Sequence, residues 1–291
     1  MPEDVRTCTL CGSDRSAPFD HRSFRGRDVN NRVCLDCGMV YQSPRMTEAE
    51  TAAFYTDEYR LLQEGSTDPT ARNVTIQNAR ASSLYNFIKP VLHAISRHLD
   101  VGCSMGILLQ HFQDAYHNQA VGVEPGDAHR NYARKQGLVV YANLADLEKA
   151  GEARFDLVSM SHVLEHFPDP VGFLSHLRET LLIPDGWLLL EVPNLYAHDS
   201  FEVAHLVAFS PHTLWEVLRI SGFDIVKLEK HGRPTSALLP LFLTVLCRPA
   251  EQLGTLPILP ERGVALKRRI GMFRRRILTR LFPQRAWLVR G

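Results

Sequence analysis

The sequence predicts an α/β protein, a doubly wound, mostly parallel seven-stranded sheet with a small N-terminal metal-bound ribbon. Three observations predict it. Short apolar runs alternate with helical stretches through residues 76–249, the pattern of a parallel sheet with ligands at the carboxyl ends of its strands. The stretch "LDVGCSMG" (Leu99–Gly106) joins an apolar strand ending in an acid to a helix through a glycine loop. Two CxxC pairs, "CTLCG" and "CLDCG", open the chain.

The 291 residues suffice for about two domains at roughly 150 residues each. With 45% hydrophobic and 22% charged residues, the chain has a globular composition and excludes a disordered one. "MPEDVRTCTLCG" lacks the apolar segment of a secretory signal. The longest apolar run, Ala237–Leu246, is shorter than the ~20 residues that a membrane span needs. The expected location is therefore cytoplasmic, where thiols stay reduced and paired cysteines point to metal rather than disulfides.

Residues 1–45 form the expected ribbon. Cys8, Cys11, Cys34 and Cys37 bring four thiolates to one ion, and Gly12 and Gly38 suit the tight turn after each pair. Four thiolates make a closed tetrahedral site, hence a structural zinc with no open position for catalysis. So short a ribbon buries little, so the metal supplies its folding energy. Residues 46–75 form the expected linker or lid. There "PRMTEAE" starts a helix with Thr47 as N-cap and Glu50 three residues on, and the polar stretch "LQEGSTDPTARN" follows.

Residues 76–98 show helical spacing of Leu84, Phe87, Ile88, Val91, Leu92 and Ile95, with Pro90 predicting a kink or split. The first strand ends in Asp100. The loop after it is GxxxG, Gly102 to Gly106, rather than the GxGxxG of dinucleotide sites. Its glycines let the backbone approach a ligand, and the amides opening the next helix face the same space. The second strand ends at Glu124, an acid placed to accept hydrogen bonds from both ribose hydroxyls of an adenosine. The third runs into Asn143 and Leu144, positions that would flank an adenine ring. The fourth runs from Phe155 to Ser161 and His162, and "GWLLLEVPN" is the fifth. "FDIVKLEKH" and "LFLTVLCRP" close the domain as an antiparallel hairpin at one edge. Cys103 and Cys247 are expected to pack in the core or a loop.

In this order and at this spacing, "LDVGCSMG", "GVEPG", "FDLVSMSHVLEHFPDP" and "PDGWLLLEVPN" resemble the class I S-adenosylmethionine-dependent methyltransferases over residues 76–249. The resemblance implies a Rossmann-like sheet. The cysteine-bearing head is similar to the zinc-ribbon module that precedes some such enzymes acting on sugars, glycans and secondary metabolites. The resemblance implies that Asp100, Gly102, Cys103, Ser104 and Gly106 surround the methionine half of S-adenosylmethionine. It places the ribose on Glu124 beside Pro125, the adenine near Asn143 and Leu144, and Ser161 and His162 at the far side of the pocket. The sequence departs from many relatives at Ser104, where they carry glycine. The implied activity is methyl transfer to a small-molecule acceptor, a sugar, glycan or natural product. An RNA or protein methyltransferase, kept open by the ribbon's Arg22, Arg25, Arg27 and Arg32, and a non-catalytic cofactor- or partner-binding protein remain alternatives.

A hydroxyl acceptor calls for a base, and imidazole titrates near neutrality. The candidates are His166 and His205. His162 and His166 stand four apart, at the spacing that would put them on one helix face. His205 precedes a helix that Ser210 would cap. For His166 a structural role, bonding loop backbone, stands beside the catalytic one. Glu165 reads as an exposed helix carboxylate, with substrate contact as the alternative, and His212 as an exposed residue of a first helical turn.

Residues 250–291 form a basic tail. From Glu261 onward it holds ten Lys or Arg against one acid, so it is about +9 and the rest of the chain about −8. Between residues 264 and 282, Leu266, Ile270, Phe273, Ile277 and Leu281 make one stripe at helical spacing. Such a helix suits contact with an anionic membrane, contact with a phosphorylated or nucleic-acid substrate, or packing of the stripe on the enzyme's own body or a second subunit.

Overall fold

A computed structural model describes residues 2–47, 50, 51, 54, 68–251 and 257–288. Most of the expected linker or lid therefore lies outside the described residues. Its start shows the expected reciprocal cap: Thr47 Oγ1 accepts from Glu50 N (3.3 Å), and Glu50 Oε2 accepts from Thr47 N (2.9 Å).

The N-terminal part supplies β1 (Ser16–Phe24), β2 (Arg27–Cys34) and β3 (Val40–Gln42). Next comes α1 (Ala71–Ile88), capped by Thr70. Of the kink or split expected at Pro90, the structure shows a break: the helical stretch stops before the proline and does not resume. The helix ends at Ile88 with Lys89 as C-cap, ahead of a proline that has no N–H to continue it. Leu92 and Ile95 are buried in the segment after the helix.

The alternating part follows in order: β4 (Arg97–Val101), α2 (Ile107–Tyr116), β5 (Gln119–Val123), α3 (Asp127–Lys135), β6 (Val139–Tyr141), α4 (Leu144–Lys149), β7 (Phe155–Ser161), α5 (Pro170–Thr180) and β8 (Leu182–Pro193). After a short β9 (Val207–Ala208) come α6 (Pro211–Ile220), β10 (Phe223–His231) and β11 (Phe242–Pro249). The main sheet has seven strands in the order β10-β11-β8-β7-β4-β5-β6. Parallel pairing joins β6 to β5, β5 to β4, β4 to β7 and β7 to β8, while β11 runs antiparallel between β8 and β10. The hairpin at one edge is thus present, with its second strand inserted next to the parallel set.

The period of two along each strand divides the core between the faces. Leu157, Leu189 and Leu246 pack with Leu84, Phe87, Ile88 and Phe112 of α1 and α2. Their neighbours Val158, Leu188, Leu190 and Val245 pack with Leu174, Leu177, Leu214 and Val217 of α5 and α6. Both faces are covered, so these strands read as near-continuous apolar runs.

The strand order reverses where β4 lies between β5 and β7, which opens a crevice at the carboxyl ends of these strands. The ribbon strands form a second sheet, β1-β2-β3-β9, whose last strand comes from the segment after β8. The tail forms α7 (Val264–Leu281) and α8 (Pro283–Ala286). The apolar stripe of α7 does not pack on the protein's own body. It faces away from it, which overturns that reading of the tail.

Candidate active site

A cavity of about 1080 Å³ opens in the crevice. Its wall includes Asp100, Gly102, Cys103, Ser104, Glu124, Pro125, Asn143, Leu144, Ser161, His162 and His166 of the expected residues. Gly106 and His205 do not line it. Gly106 caps α2 with φ +75°, and a Cβ there would overlap Leu138. Cys103 lines the wall, but its side chain packs into an apolar cluster with Leu109, Ala133 and Val140. The room for that sulfur comes from Gly122, where a Cβ would lie 2.5 Å from Cys103 Sγ.

The glycine loop is tied to β5 through Glu124. One carboxylate oxygen accepts from Ser104 N (2.9 Å) and the other from Gly126 N (2.9 Å). Ser104 sits at φ +51° in the left-handed region that favours glycine. Its hydroxyl accepts from Gln77 Nε2 of α1 (2.8 Å) and lies 2.7 Å from His129 Nδ1 of α3, contacts a glycine would lack. Gly102 also has positive φ, and a Cβ there would overlap Val163, so only glycine fits.

Beneath the loop runs a buried chain. His98 Nε2 donates to Ser159 Oγ (2.8 Å), which donates to Asp100 Oδ1 (2.6 Å). Burial pushes Asp100 up to about 7, with the Ser159 hydrogen bond opposing it and the Glu124 charge adding to it. Burial pushes His98 down to about 3, so its ring stays neutral.

The opposite wall carries histidines and buried carboxylates. His162 is left-handed at φ +57°, and only a short 3-10 turn, Leu164–His166, follows. His162 and His166 therefore share no helix face, although both reach the cavity. Glu165 is buried, not an exposed helix carboxylate. Its Oε1 lies 3.6 Å from His162 Nδ1 and 3.8 Å from His205 Nε2. Burial disfavours its charge, but His162, His166 and His205 outweigh that and hold it below the usual carboxylate range. His166 Nδ1 pairs with Ala204 O (2.8 Å), which makes that nitrogen the donor and leaves Nε2 as an acceptor. Burial lowers the His166 pKa. For His205, burial is outweighed by the hydrogen bond to Glu202 Oε1 (2.9 Å), and its pKa rises. The two rings meet edge to face at 4.9 Å. Glu165, His166 and His205 present one ligand atom each within 4.8 Å of one another.

Arg80, Gln77 and Glu191 were not anticipated. Glu191 Oε1 faces Arg80 Nε (3.2 Å) and His162 Nε2 (3.4 Å), and its Oε2 accepts from Thr244 Oγ1 (2.9 Å). Burial opposes its ionisation, but His162, His231 and Arg80 hold it well below the usual range. The sequence carried one signal, a lone acid inside the apolar run "LLLEVP". Arg80 and Gln77 are ordinary helix residues and gave none. His212 in the first turn of α6 pairs with Leu259 O (2.7 Å), and Ser210 Oγ caps that helix by accepting from Thr213 N (3.0 Å).

Away from the cavity, the Sγ atoms of Cys8, Cys11, Cys34 and Cys37 lie within 4.8 Å of one another. Cys8 and Cys37 are 3.5 Å apart, as are Cys11 and Cys34, near the ~3.8 Å edge of a tetrahedron with metal–sulfur bonds of about 2.3 Å. Gly12 N donates to Cys8 O (2.8 Å) and Gly38 N to Cys34 O (3.0 Å), closing the turn after each pair. The donor set fits a four-sulfur metal site.

The family described as "Methyltransferase domain" matches residues 71–228. A ubiquinone biosynthesis O-methyltransferase of Actinobacillus pleuropneumoniae is 31% identical over 106 residues, covering 33% of this chain and 45% of that protein. One of the same name from Cereibacter sphaeroides is 35% identical over 154 residues, covering 45% and 61%. The chain thus spans about half the length of the curated relatives it matches. Among solved structures, 1,6-didemethyltoxoflavin-N1-methyltransferase of Burkholderia thailandensis, holding its substrate and S-adenosylhomocysteine, shares the fold. It is 22% identical with a TM-score of 0.56, covering 80% of this chain and 99% of that one.

Proposed function

The chain belongs to the methyltransferase-domain family, and from that membership we propose that it binds S-adenosylmethionine at the carboxyl ends of β4, β5, β6 and β7 and methylates a small-molecule acceptor. One observation carries the reading. One cavity has Glu124 and the glycine loop on one wall and His162 and His166, backed by the buried Glu165, on the other. The first wall offers a carboxylate at the second strand for a ribose and an acid, Asp100, for positive charge. The second offers groups that take up a proton. S-adenosylmethionine, when bound, supplies an electrophilic methyl group on a cationic sulfur.

The chain's own work is positioning and proton handling, and positioning supplies much of the rate. Asp100, Gly102, Cys103 and Ser104 line the methionine half, Glu124 and Pro125 the ribose, Asn143 and Leu144 the adenine. Gly106 acts indirectly, by letting α2 start against Leu138. His166 is the group we assign as general base. Burial favours its neutral form, the Nδ1–H bond to Ala204 O makes Nε2 the basic nitrogen of that tautomer, and the Glu165 charge favours the protonated ring. His205, off the cavity wall, positions His166 through the ring contact. Ser161, His162 and Arg80, with the buried Glu191 behind Arg80 and His162, make a polar wall suited to a hydroxylated acceptor. That favours oxygen as the methylated atom, as in the names of the relatives, and fits a sugar, glycan or natural product. A structural zinc on Cys8, Cys11, Cys34 and Cys37 completes the reading. Four thiolates leave no open position, so we assign it no part in the transfer.

Two outcomes follow. His166→Asn lowers kcat by about 10²- to 10⁴-fold and leaves S-adenosylmethionine affinity unchanged, since it removes only proton transfer. An unchanged kcat in a folded variant contradicts the assignment. The second concerns Asp100, whose pKa near 7 means that a cationic ligand must expel a proton below that pH. Affinity, followed by calorimetry from about pH 6 to about pH 7.5, should tighten as pH rises, with proton release that Asp100→Asn removes. The same shift sets stability: a folded pKa above the unfolded one stabilises at low pH, and that contribution is lost as pH rises through about 7.

A further inference from the structure

The helix α7 is docked the wrong way round for an ordinary surface helix. Its docked side carries buried Val264 and Arg268 and half-buried Gly271, Met272, Arg275, Leu278 and Thr279, with Leu278 against the Leu239, Leu241 and Phe242 cluster. Arg268 Nη1 donates to Leu195 O and to His198 O (3.1 Å), its Nη2 pairs with Asp199 (3.2 Å), and its guanidinium lies 4.2 Å from the Phe201 ring centre. Arg275 donates to Ala197 O (3.0 Å). Gly271 passes so close to Tyr196 that a Cβ would overlap its carbonyl oxygen. These contacts fix the rotation of the helix about its axis. They turn the apolar stripe outward, with Leu266, Ile270, Phe273 and Leu281 between 60% and 64% exposed and Ile277 at 40%.

The flanks of the stripe are cationic on both sides. At 100° per residue, Arg269, Arg276 and Arg280 fall on one flank, Lys267 and Arg274 on the other, and all five are exposed. No acid occurs after Glu261. The surface is therefore an apolar strip of five large side chains bordered by positive charge, larger than scattered surface hydrophobes require. Its partner must offer an apolar layer and dense negative charge together. A second copy meeting it about a two-fold axis would set arginines against arginines. A nucleic acid would match the charge and leave the strip in water. No helix among the described residues is long and apolar enough to cross a membrane, so a membrane contact would lie along the surface.

We propose that α7 lies in the interface of an anionic bilayer, with Leu266, Ile270, Phe273, Ile277 and Leu281 among the upper acyl carbons and the flanking arginines on lipid phosphates. Such helices bind through buried apolar area plus attraction to anionic headgroups. The proposal is independent of the acceptor and of the methyl-transfer chemistry.

The test is co-sedimentation of the full chain with phosphatidylcholine vesicles, with and without phosphatidylglycerol. The chain should pellet only with the phosphatidylglycerol vesicles and be released near about 1 M salt, where charge attraction is screened within ~3 Å. Ile270→Ser with Phe273→Ser should weaken binding at least about tenfold through lost apolar burial. Arg274→Glu with Arg276→Glu should weaken it at least about twentyfold, each arginine near an anionic surface counting about fivefold. All four positions are exposed, so melting temperature and S-adenosylmethionine affinity serve as controls and should not move. Three results overturn the proposal. One is failure to pellet with phosphatidylglycerol vesicles. Another is pelleting that ignores the serine substitutions. The third is a dimer by light scattering that Phe273→Ser dissociates and vesicles do not.

Discussion

Glu124→Ala should raise the S-adenosylmethionine dissociation constant by at least about 100-fold, because the proposed ribose contact would lose two hydrogen bonds to a charged acceptor, each worth about 1.5–3 kcal/mol. The carboxylate has a second duty that must be separated from the first. It accepts from Ser104 N and Gly126 N, and so holds the glycine loop to β5. Alanine strands both amides, which costs about 1–3 kcal/mol of stability for each that finds no other acceptor. Glu124→Gln keeps one carbonyl for an amide and removes the charge. The account predicts a smaller loss of stability and still a loss of affinity of at least about tenfold. Titration calorimetry beside thermal melting separates the two duties. A folded Glu124→Gln chain with undiminished affinity would refute the assignment of the ribose to this residue.

Removing the proposed zinc should have the other large effect. The purified chain should carry one zinc by elemental analysis, and Cys34→Ser with Cys37→Ser, or a chelator, should unfold the N-terminal sheet. Structural zinc contributes about 10–16 kcal/mol in small zinc peptides at neutral pH, more than so short a ribbon can replace by burial. The damage should not stop at the ribbon. β3 pairs with β9, Glu261 N donates to Cys37 O (3.0 Å), and Gln42 N donates to Leu206 O (2.8 Å). The segment so held includes Ala204, whose carbonyl fixes His166. Metal loss should therefore speed amide exchange across residues 204–209 and lower kcat, although no cysteine of the four reaches the cavity. A metal-free chain with unchanged exchange in that segment speaks against the coupling.

The strands were legible because burial on both faces writes itself as continuous apolar runs, and the acids at Asp100 and Glu124 stand where two of those runs end. The loop was legible from Gly102 and Gly106, whose missing side chains leave room for Val163 and Leu138. What failed was decided by parts of the chain far apart in sequence. His162 and His166 read as one helix face, but a left-handed turn at His162 breaks the period, and a non-glycine residue at positive φ carries no sequence mark. Glu165 read as exposed because the helical frame said so; burial by tertiary packing overrides that frame. Pro90 read as a kink or split; the helix stops before it, and Leu92 and Ile95, read as its continuation, lie in a non-helical segment. The stripe of α7 was visible in full, but periodicity does not say which side docks. That was settled by Arg268 and Gly271 meeting the backbone of residues 195–198. Glu191 was legible in principle, as the one charged residue in a run of buried positions.

The measurement that bears most directly on the central claim is titration calorimetry of the full, zinc-loaded chain with S-adenosylmethionine. The account predicts one site per chain with micromolar affinity, competed by S-adenosylhomocysteine. Absence of binding by a chain shown to be folded would contradict it.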